Sequence, residues 1–106
     1  MNFSGVPKAI KDILDLNVVL DETQELETIV NNIIDKDPTG ILSSSKRQDL
    51  INKIQWALDV RQKLEEARNF RVFRGSYEQE RIKAGINTLK VTEKKMQDRI
   101  RKSDRQ

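Results

Sequence analysis

The sequence predicts an all-α fold, a small helical bundle built on a long antiparallel helical hairpin. Apolar residues recur at spacings of three and four in four successive segments, which is the periodicity of amphipathic helices. Alternation of apolar and polar residues, the pattern of a strand, extends no further than residues 70–73. The chain has 106 residues, of which 36% are hydrophobic and 35% charged, and this length favours a single domain.

Two short helices are predicted near the start of the chain. The first covers about 6–16, with Pro7 in its first turn, where a missing N–H is tolerated. After a break in this rhythm, Asp21 provides an N-cap for a second helix over about 22–35. Pro38 ends that helix in a turn, because proline lacks a backbone N–H donor.

Two longer helices follow, over about 46–74 and 77–103. At 1.5 Å per residue they would extend about 43 Å and about 40 Å, so they are well matched in length. Gly75 and Ser76 separate them, and Ser76 begins a new capping box, so we expect an antiparallel hairpin. One continuous helix through Gly75 is the alternative, at a cost of about 1 kcal/mol for the internal glycine.

The last predicted helix carries a heptad seam in which one position is polar. Its members follow each other in steps of 4, 3, 4, 3 and 4 residues: Ile82, Ile86, Leu89, Glu93, Met96 and Ile100. Such a seam predicts packing against a second copy of the chain or against a helix of another protein. Glu93 is expected to face a basic residue such as Arg61 and to fix the register of this packing.

Charge is strongly segregated along the chain. Residues 1–45 contain three basic and eight acidic side chains, a net charge of −5, whereas residues 81–106 contain nine and three, a net charge of +6. Residues 46–80 carry a net charge of +2, which completes the total of +3. Two explanations are open. The two segments neutralise each other inside the bundle, or the clustered Lys and Arg displace counterions from a nucleic-acid backbone.

The predicted hairpin tip combines arginines with aromatic rings. Arg68, Arg71 and Arg74 recur at every third residue, and Phe73 and Tyr77 lie beside them. Guanidinium groups bind phosphates and rings stack on bases, a combination that holds single-stranded nucleic acid. The alternative is that the aromatic rings close the end of the core, since aromatic stripes at helical spacing are frequently buried.

These patterns favour a non-enzymatic, non-sequence-specific nucleic-acid-binding accessory protein, with single-stranded DNA or RNA as the favoured target. The residues predicted to contact nucleic acid lie at the tip and along the C-terminal helix: Arg68, Arg71, Phe73, Arg74, Tyr77, Arg81, Lys83, Lys90, Lys94, Lys95, Arg99, Arg101 and Lys102. The alternative function is a helical oligomerising adaptor or regulatory protein that binds another protein, or a second copy, through the heptad seam. Exposure of the tip favours the first hypothesis, and burial of the tip favours the second.

The composition excludes several classes of chemistry. With no Cys and no His, the chain can form no disulfide, no zinc site of the usual kinds and no His-based acid–base pair. Its four glycines are isolated from one another, so the sequence contains no glycine-rich phosphate loop. We therefore expect no enzymatic activity, no cofactor, no metal and no small-molecule substrate.

Residues 35–46 resemble the calcium-binding loop of an EF-hand. Asp35, Asp37 and Gly40 stand at matching positions of that loop. Lys46, however, occupies the place of the bidentate glutamate, which would remove two oxygen ligands and add a positive charge. The segment is therefore interpreted as an ordinary turn that binds no calcium.

The sequence gives no sign of export or of membrane insertion. The residues 1–7 lack a basic region followed by an apolar one, so they do not resemble a signal peptide. Apolar runs fall far short of the roughly 18 residues of a membrane span. A cytoplasmic protein with no membrane partner is expected.

Overall fold

The structure is a computed structural model that describes the backbone of residues 8–36 and 42–104, with side chains from residue 15 onward. It contains three long helices, α1 (Lys8–Lys36), α2 (Ser44–Arg68) and α3 (Tyr77–Asp104). A short 3-10 helix, Arg71–Phe73, lies between α2 and α3. The predicted all-α class and small helical bundle are confirmed, since the described residues contain no strand.

The N-terminal part of the chain forms one helix, α1, and not the two short helices predicted on either side of residues 17–20. The stripe that faces the core continues through the predicted break, because Leu16, Thr23 and Val30 are all buried at seven-residue intervals. Asp21, the predicted N-cap, lies exposed within the helix. Burial of a continuous stripe therefore outweighs the local cap signal.

The helix α2 begins two residues earlier than predicted, at Ser44. Ser43 is its N-cap, and the Ser43 hydroxyl accepts a hydrogen bond from the backbone N–H of Lys46 at 3.2 Å. The predicted turn around Pro38, with the centre of the segment that resembles a calcium loop, lies in residues 37–41, outside the described residues.

The predicted antiparallel hairpin is formed by α2 and α3, which pack more closely on each other than on α1. The helix α2 ends at Arg68, six residues before its predicted end, because the chain turns there to bring Phe73 into the core at 1% exposure. Gly75 follows with a φ of +69°, a left-handed conformation that favours glycine. The hydroxyl of Ser76 donates to the Phe73 carbonyl at 2.6 Å, just before α3 begins.

The three helices enclose an apolar core, and α1 completes it by packing against both arms of the hairpin. Most of the buried residues are aliphatic, and they come from all three helices and from both connections: Leu16, Leu26, Val30, Leu42, Leu50, Ala57, Val60, Leu64, Ala67, Phe73, Ile82, Ile86, Leu89 and Met96. None of the helices described has a stretch both long enough and apolar enough to cross a lipid bilayer.

At the end of the bundle opposite the hairpin tip, α3 forms polar contacts with α2 and with the connection that precedes α2. The Arg47 guanidinium contacts both carboxylate oxygens of Asp104, each at 3.2 Å. The backbone N–H of Leu42 donates to the Ser103 hydroxyl, also at 3.2 Å. These contacts hold the two arms of the hairpin in register at this end.

Candidate nucleic-acid interface

The heptad seam of α3 lies inside the bundle. Five of its six members, Ile82, Ile86, Leu89, Glu93 and Met96, are at most 5% exposed, and Ile100 is partly buried. The chain's own α2 and α1 cover this side of α3. The prediction that the seam packs against a second copy or a foreign helix does not fit this placement, because a partner would first have to displace α2 and α1.

Glu93 pairs with Arg61, as the sequence predicts. Arg61 Nη1 lies 2.9 Å from Glu93 Oε2, and Arg61 Nε lies 3.8 Å from Glu65 Oε1. The contact with Glu93 is a charge contact and not a directed hydrogen bond. Burial raises the pKa of the Glu93 carboxyl above its ordinary value, while the nearby charge of Arg61 opposes that rise.

The hairpin tip, residues 68–77, is cationic on its surface and aromatic in its interior. Arg68, Arg71 and Arg74 are exposed, and they form no ion pair with any residue that the structure describes. Phe73 fills the end of the core, a placement that does not fit its predicted stacking on a base. Tyr77, in contrast, is 76% exposed. The tip therefore keeps its arginines and one accessible ring.

A second cationic surface runs along the outside of α3, and we call it the ridge. Its six side chains are all exposed and follow each other in steps of 4, 3, 4, 3 and 4 residues: Lys83, Asn87, Lys90, Lys94, Gln97 and Arg101. This is the spacing of the heptad seam, shifted by one residue. Four members are cations, two are amides and none is a carboxylate, so every side chain of the ridge can donate a hydrogen bond.

The ridge borders a shallow groove between α2 and α3. Leu58 and Arg61 line the groove from α2, opposite Lys90 and Lys94 of the ridge. Glu93 and Asp98 also line the groove, but within the described part of the chain they pair with Arg61 and Arg101 and not with Lys90 or Lys94. The pairs at the two ends of the ridge are long and exposed: Lys83 with Glu80 at 3.8 Å and Arg101 with Asp98 at 3.6 Å. Such pairs contribute little, and they leave the cations accessible.

Two further predicted cations lie on the opposite flank of α3 and contact α1. Arg81 donates to the Asn17 side chain at 3.1 Å, and Lys95 donates to the Asn31 side chain at 3.3 Å. Their described hydrogen-bond partners are neutral amides, which do not compensate a positive charge. Neutralisation of α3 by the carboxylates of α1 therefore does not account for either residue.

Arg99 and Lys102 differ sharply in exposure. Arg99 is 6% exposed, a placement that does not fit its predicted contact with a phosphate. Lys102 is exposed and lines a small groove with Asp35 of α1. The structure thus brings Lys83, Lys90, Lys94 and Arg101 onto one surface and separates Arg99 from them.

Three members of the cationic surface were missed by sequence analysis: Asn87 and Gln97 of the ridge, and Arg61 as a lining residue of the groove. The sequence does contain a signal for the ridge, because the residue that follows each member of the heptad seam is a member of the ridge. Amides carry no charge, so a search for clustered Lys and Arg passes over them.

Comparison of the chain with protein-family models, with curated protein sequences and with solved structures gave no significant match.

Proposed function

We propose that this protein is a non-enzymatic accessory protein that binds the phosphate backbone of nucleic acid without sequence specificity. The observation that carries the proposal is the ridge, in which six exposed positions of α3, spaced by three and four residues, hold only hydrogen-bond donors with a net charge of +4. Lys, Arg, Asn and Gln are the side chains that contact phosphate and sugar oxygens. A stripe maintained for solubility alone would be expected to mix both signs of charge.

The chemistry of the ridge supports binding without sequence specificity. Three of its four cations are lysines, and an ammonium group is a point charge on a flexible stem. Base edges are read by planar side chains that form two hydrogen bonds at once, which on the ridge are Arg101 and the amides Asn87 and Gln97, and lysines separate the two amides. Arg101 is the ridge residue with a guanidinium, and it is paired with Asp98. A cytoplasmic location, expected from the sequence, would give the protein access to nucleic acid.

The proposal is tested by fluorescence anisotropy with labelled DNA and RNA oligonucleotides of several unrelated sequences. We expect affinities that are similar among sequences and that fall about 100-fold between 50 and 200 mM salt, since four neutralised phosphates give a log–log slope of about −3.6. The double substitution Lys90→Gln/Lys94→Gln should reduce this slope by about 1.8.

A matched variant controls for the loss of two positive charges anywhere on the protein. Lys53→Gln/Lys63→Gln removes the same charge from α2, outside the groove lining. It should weaken binding much less than the ridge variant. Absence of binding at 50 mM salt, or equal losses for the two variants, would exclude the ridge as a phosphate-binding surface.

A further inference from the structure

We infer that the ridge prefers duplex nucleic acid to single strands, an inference that rests on the proposed function and names its target. It reverses the expectation of a single-stranded target, which depended on aromatic rings at the tip. The position of those rings, the continuity of the helix that carries the ridge and the charge density of the two polymers all support it.

The aromatic side chains are poorly placed for base stacking. Phe73 is 1% exposed, and Phe70 and Trp56 are partly buried against the core. Lys53 Nζ lies 6.0 Å from the centre of the Trp56 ring, on the outside of α2. Tyr77 is accessible, but it stands at the tip, and the ridge itself holds no aromatic residue. Proteins that track single strands stack successive bases on successive rings, and one ring cannot do this.

The ridge lies along one continuous helix. From Lys83 to Arg101 it covers 18 residue steps of one helix, about 27 Å at 1.5 Å per residue. The apolar seam beside it is buried along the same length, so α3 is held in place throughout. Duplex DNA is stiff over far more than this distance, with a persistence length of about 50 nm. A row of donors on a packed helix thus meets a stiff row of phosphates, whereas a single strand would lose conformational freedom on binding.

The difference in charge density between duplex and single-stranded nucleic acid also favours the duplex. Duplex DNA carries about one negative charge per 1.7 Å of axis, so about 16 phosphate charges lie within the length of the ridge. Each neutralised phosphate contributes about 0.9 to the salt slope for duplex DNA but about 0.7 for single strands. Four cations therefore release more counterions from the duplex than from a single strand. The ridge has no aromatic ring whose stacking on bases could make up this difference in affinity.

The inference is tested with one labelled sequence of about 20 nucleotides, prepared as single-stranded DNA, duplex DNA and duplex RNA. At 50 mM salt we expect the wild type to bind both duplexes at least about fivefold more tightly than the single strand. Lys90→Gln/Lys94→Gln should weaken duplex binding about tenfold. Arg71→Gln/Arg74→Gln removes the same charge from the tip and should weaken duplex binding less than threefold. Thermal unfolding followed by circular dichroism checks that both variants, changed at exposed positions, remain folded.

The outcomes separate the two proposals. Binding of all three probes with equal affinity, or tighter binding of the single strand, would overturn the duplex preference and leave nucleic-acid binding in place. A larger duplex loss for the tip variant would also overturn it, because the tip would then be the duplex site. If no probe binds at 50 mM salt, the proposed function fails and this inference fails with it.

Discussion

The Glu93 carboxylate lies at the floor of a cationic groove and neutralises part of it. Its 2.9 Å contact with Arg61 joins α3 to α2 across the hairpin. A buried ion pair adds little net stability, because desolvation of the two charges offsets their attraction. The ion pair instead fixes how the two helices align. If α3 slid along α2, the Glu93 carboxylate would be buried without its cation, so the pair favours one register.

Lowering the pH from about 7 to about 4 should shift the stability difference between the wild type and Glu93→Gln in favour of the wild type. Burial raises the pKa of Glu93 in the folded protein, so the folded state binds the proton more tightly than the unfolded chain. The contribution of Glu93 to the free energy of unfolding therefore rises as the pH falls through the folded-state pKa. It is complete below the unfolded-state pKa and is lost again as the pH rises.

Urea denaturation of both proteins at a series of pH values measures this difference. All other carboxylates are common to the two proteins, so their titration cancels when the free energies are subtracted. A difference that stays constant, or that moves toward the variant as the pH falls, would show that Glu93 is not penalised by burial.

The helix α3 carries two parallel stripes with the same spacing, one facing inward and one facing outward. The inner stripe could be predicted, because apolar residues at heptad spacing are a strong signal. The helix that packs against this stripe could not be predicted, because a heptad seam packs equally well against a helix of the same chain and against a helix of another protein. The outer stripe was recognised through its cations alone, since polar amides leave no hydrophobic periodicity.

The helix α1 shows how a local signal is overridden. Asp21 and Gln24 have the spacing of a capping box, which predicted a new helix there. A cap contributes about 1 kcal/mol, whereas each buried aliphatic side chain contributes about 1.5–3 kcal/mol. Leu16 and Val30, on either side of the cap signal, are both at most 2% exposed. Tertiary packing therefore decides the continuity of this helix.

Gly85→Val in α3 should lower the free energy of unfolding by about 1–3 kcal/mol, the usual cost of overpacking a core. A Cβ atom at Gly85 would lie 2.9 Å from Leu64 Cδ1 and 3.1 Å from Leu20 Cδ2, so side chains of α2 and α1 must both shift. The exposed neighbour supplies the control: Ala84→Val changes helix propensity alone and should cost about 0.5 kcal/mol. Equal losses in urea denaturation would show that the three helices do not converge at Gly85.

The exposed carboxylates of α1 contrast with the ridge, which holds none. The carboxylates of Asp21, Glu25 and Asp35 are exposed on α1. The ridge lies on the flank of α3 next to α2, whereas the flank next to α1 carries Arg81 and Lys95. A polyanion bound to the ridge would therefore be attracted by α3 and repelled by α1, so the charge distribution favours one orientation of the protein on its target.

Asp21→Asn/Glu25→Gln should increase the affinity for duplex DNA about two- to fivefold at about 10 mM salt, where the Debye length is about 30 Å. At about 150 mM salt the Debye length falls to about 8 Å, and the increase should disappear because the substituted positions belong to α1, outside the groove that the ridge borders. Anisotropy titrations at the two salt concentrations measure the effect. An increase that persists at the higher salt would mean that α1 itself contacts the nucleic acid.

Gly75 shapes the tip, and it also affects whether the two arms of the hairpin pack within one molecule. An L-amino acid with a side chain is strained by about 1–2 kcal/mol in the left-handed conformation that Gly75 adopts, yet it fits a straight helix without strain. A chain that straightened here would separate its two arms, and each arm could complete its core only by exchanging with a second molecule. The single glycine thus biases the chain against domain swapping, and it keeps the two arms of one hairpin in one molecule.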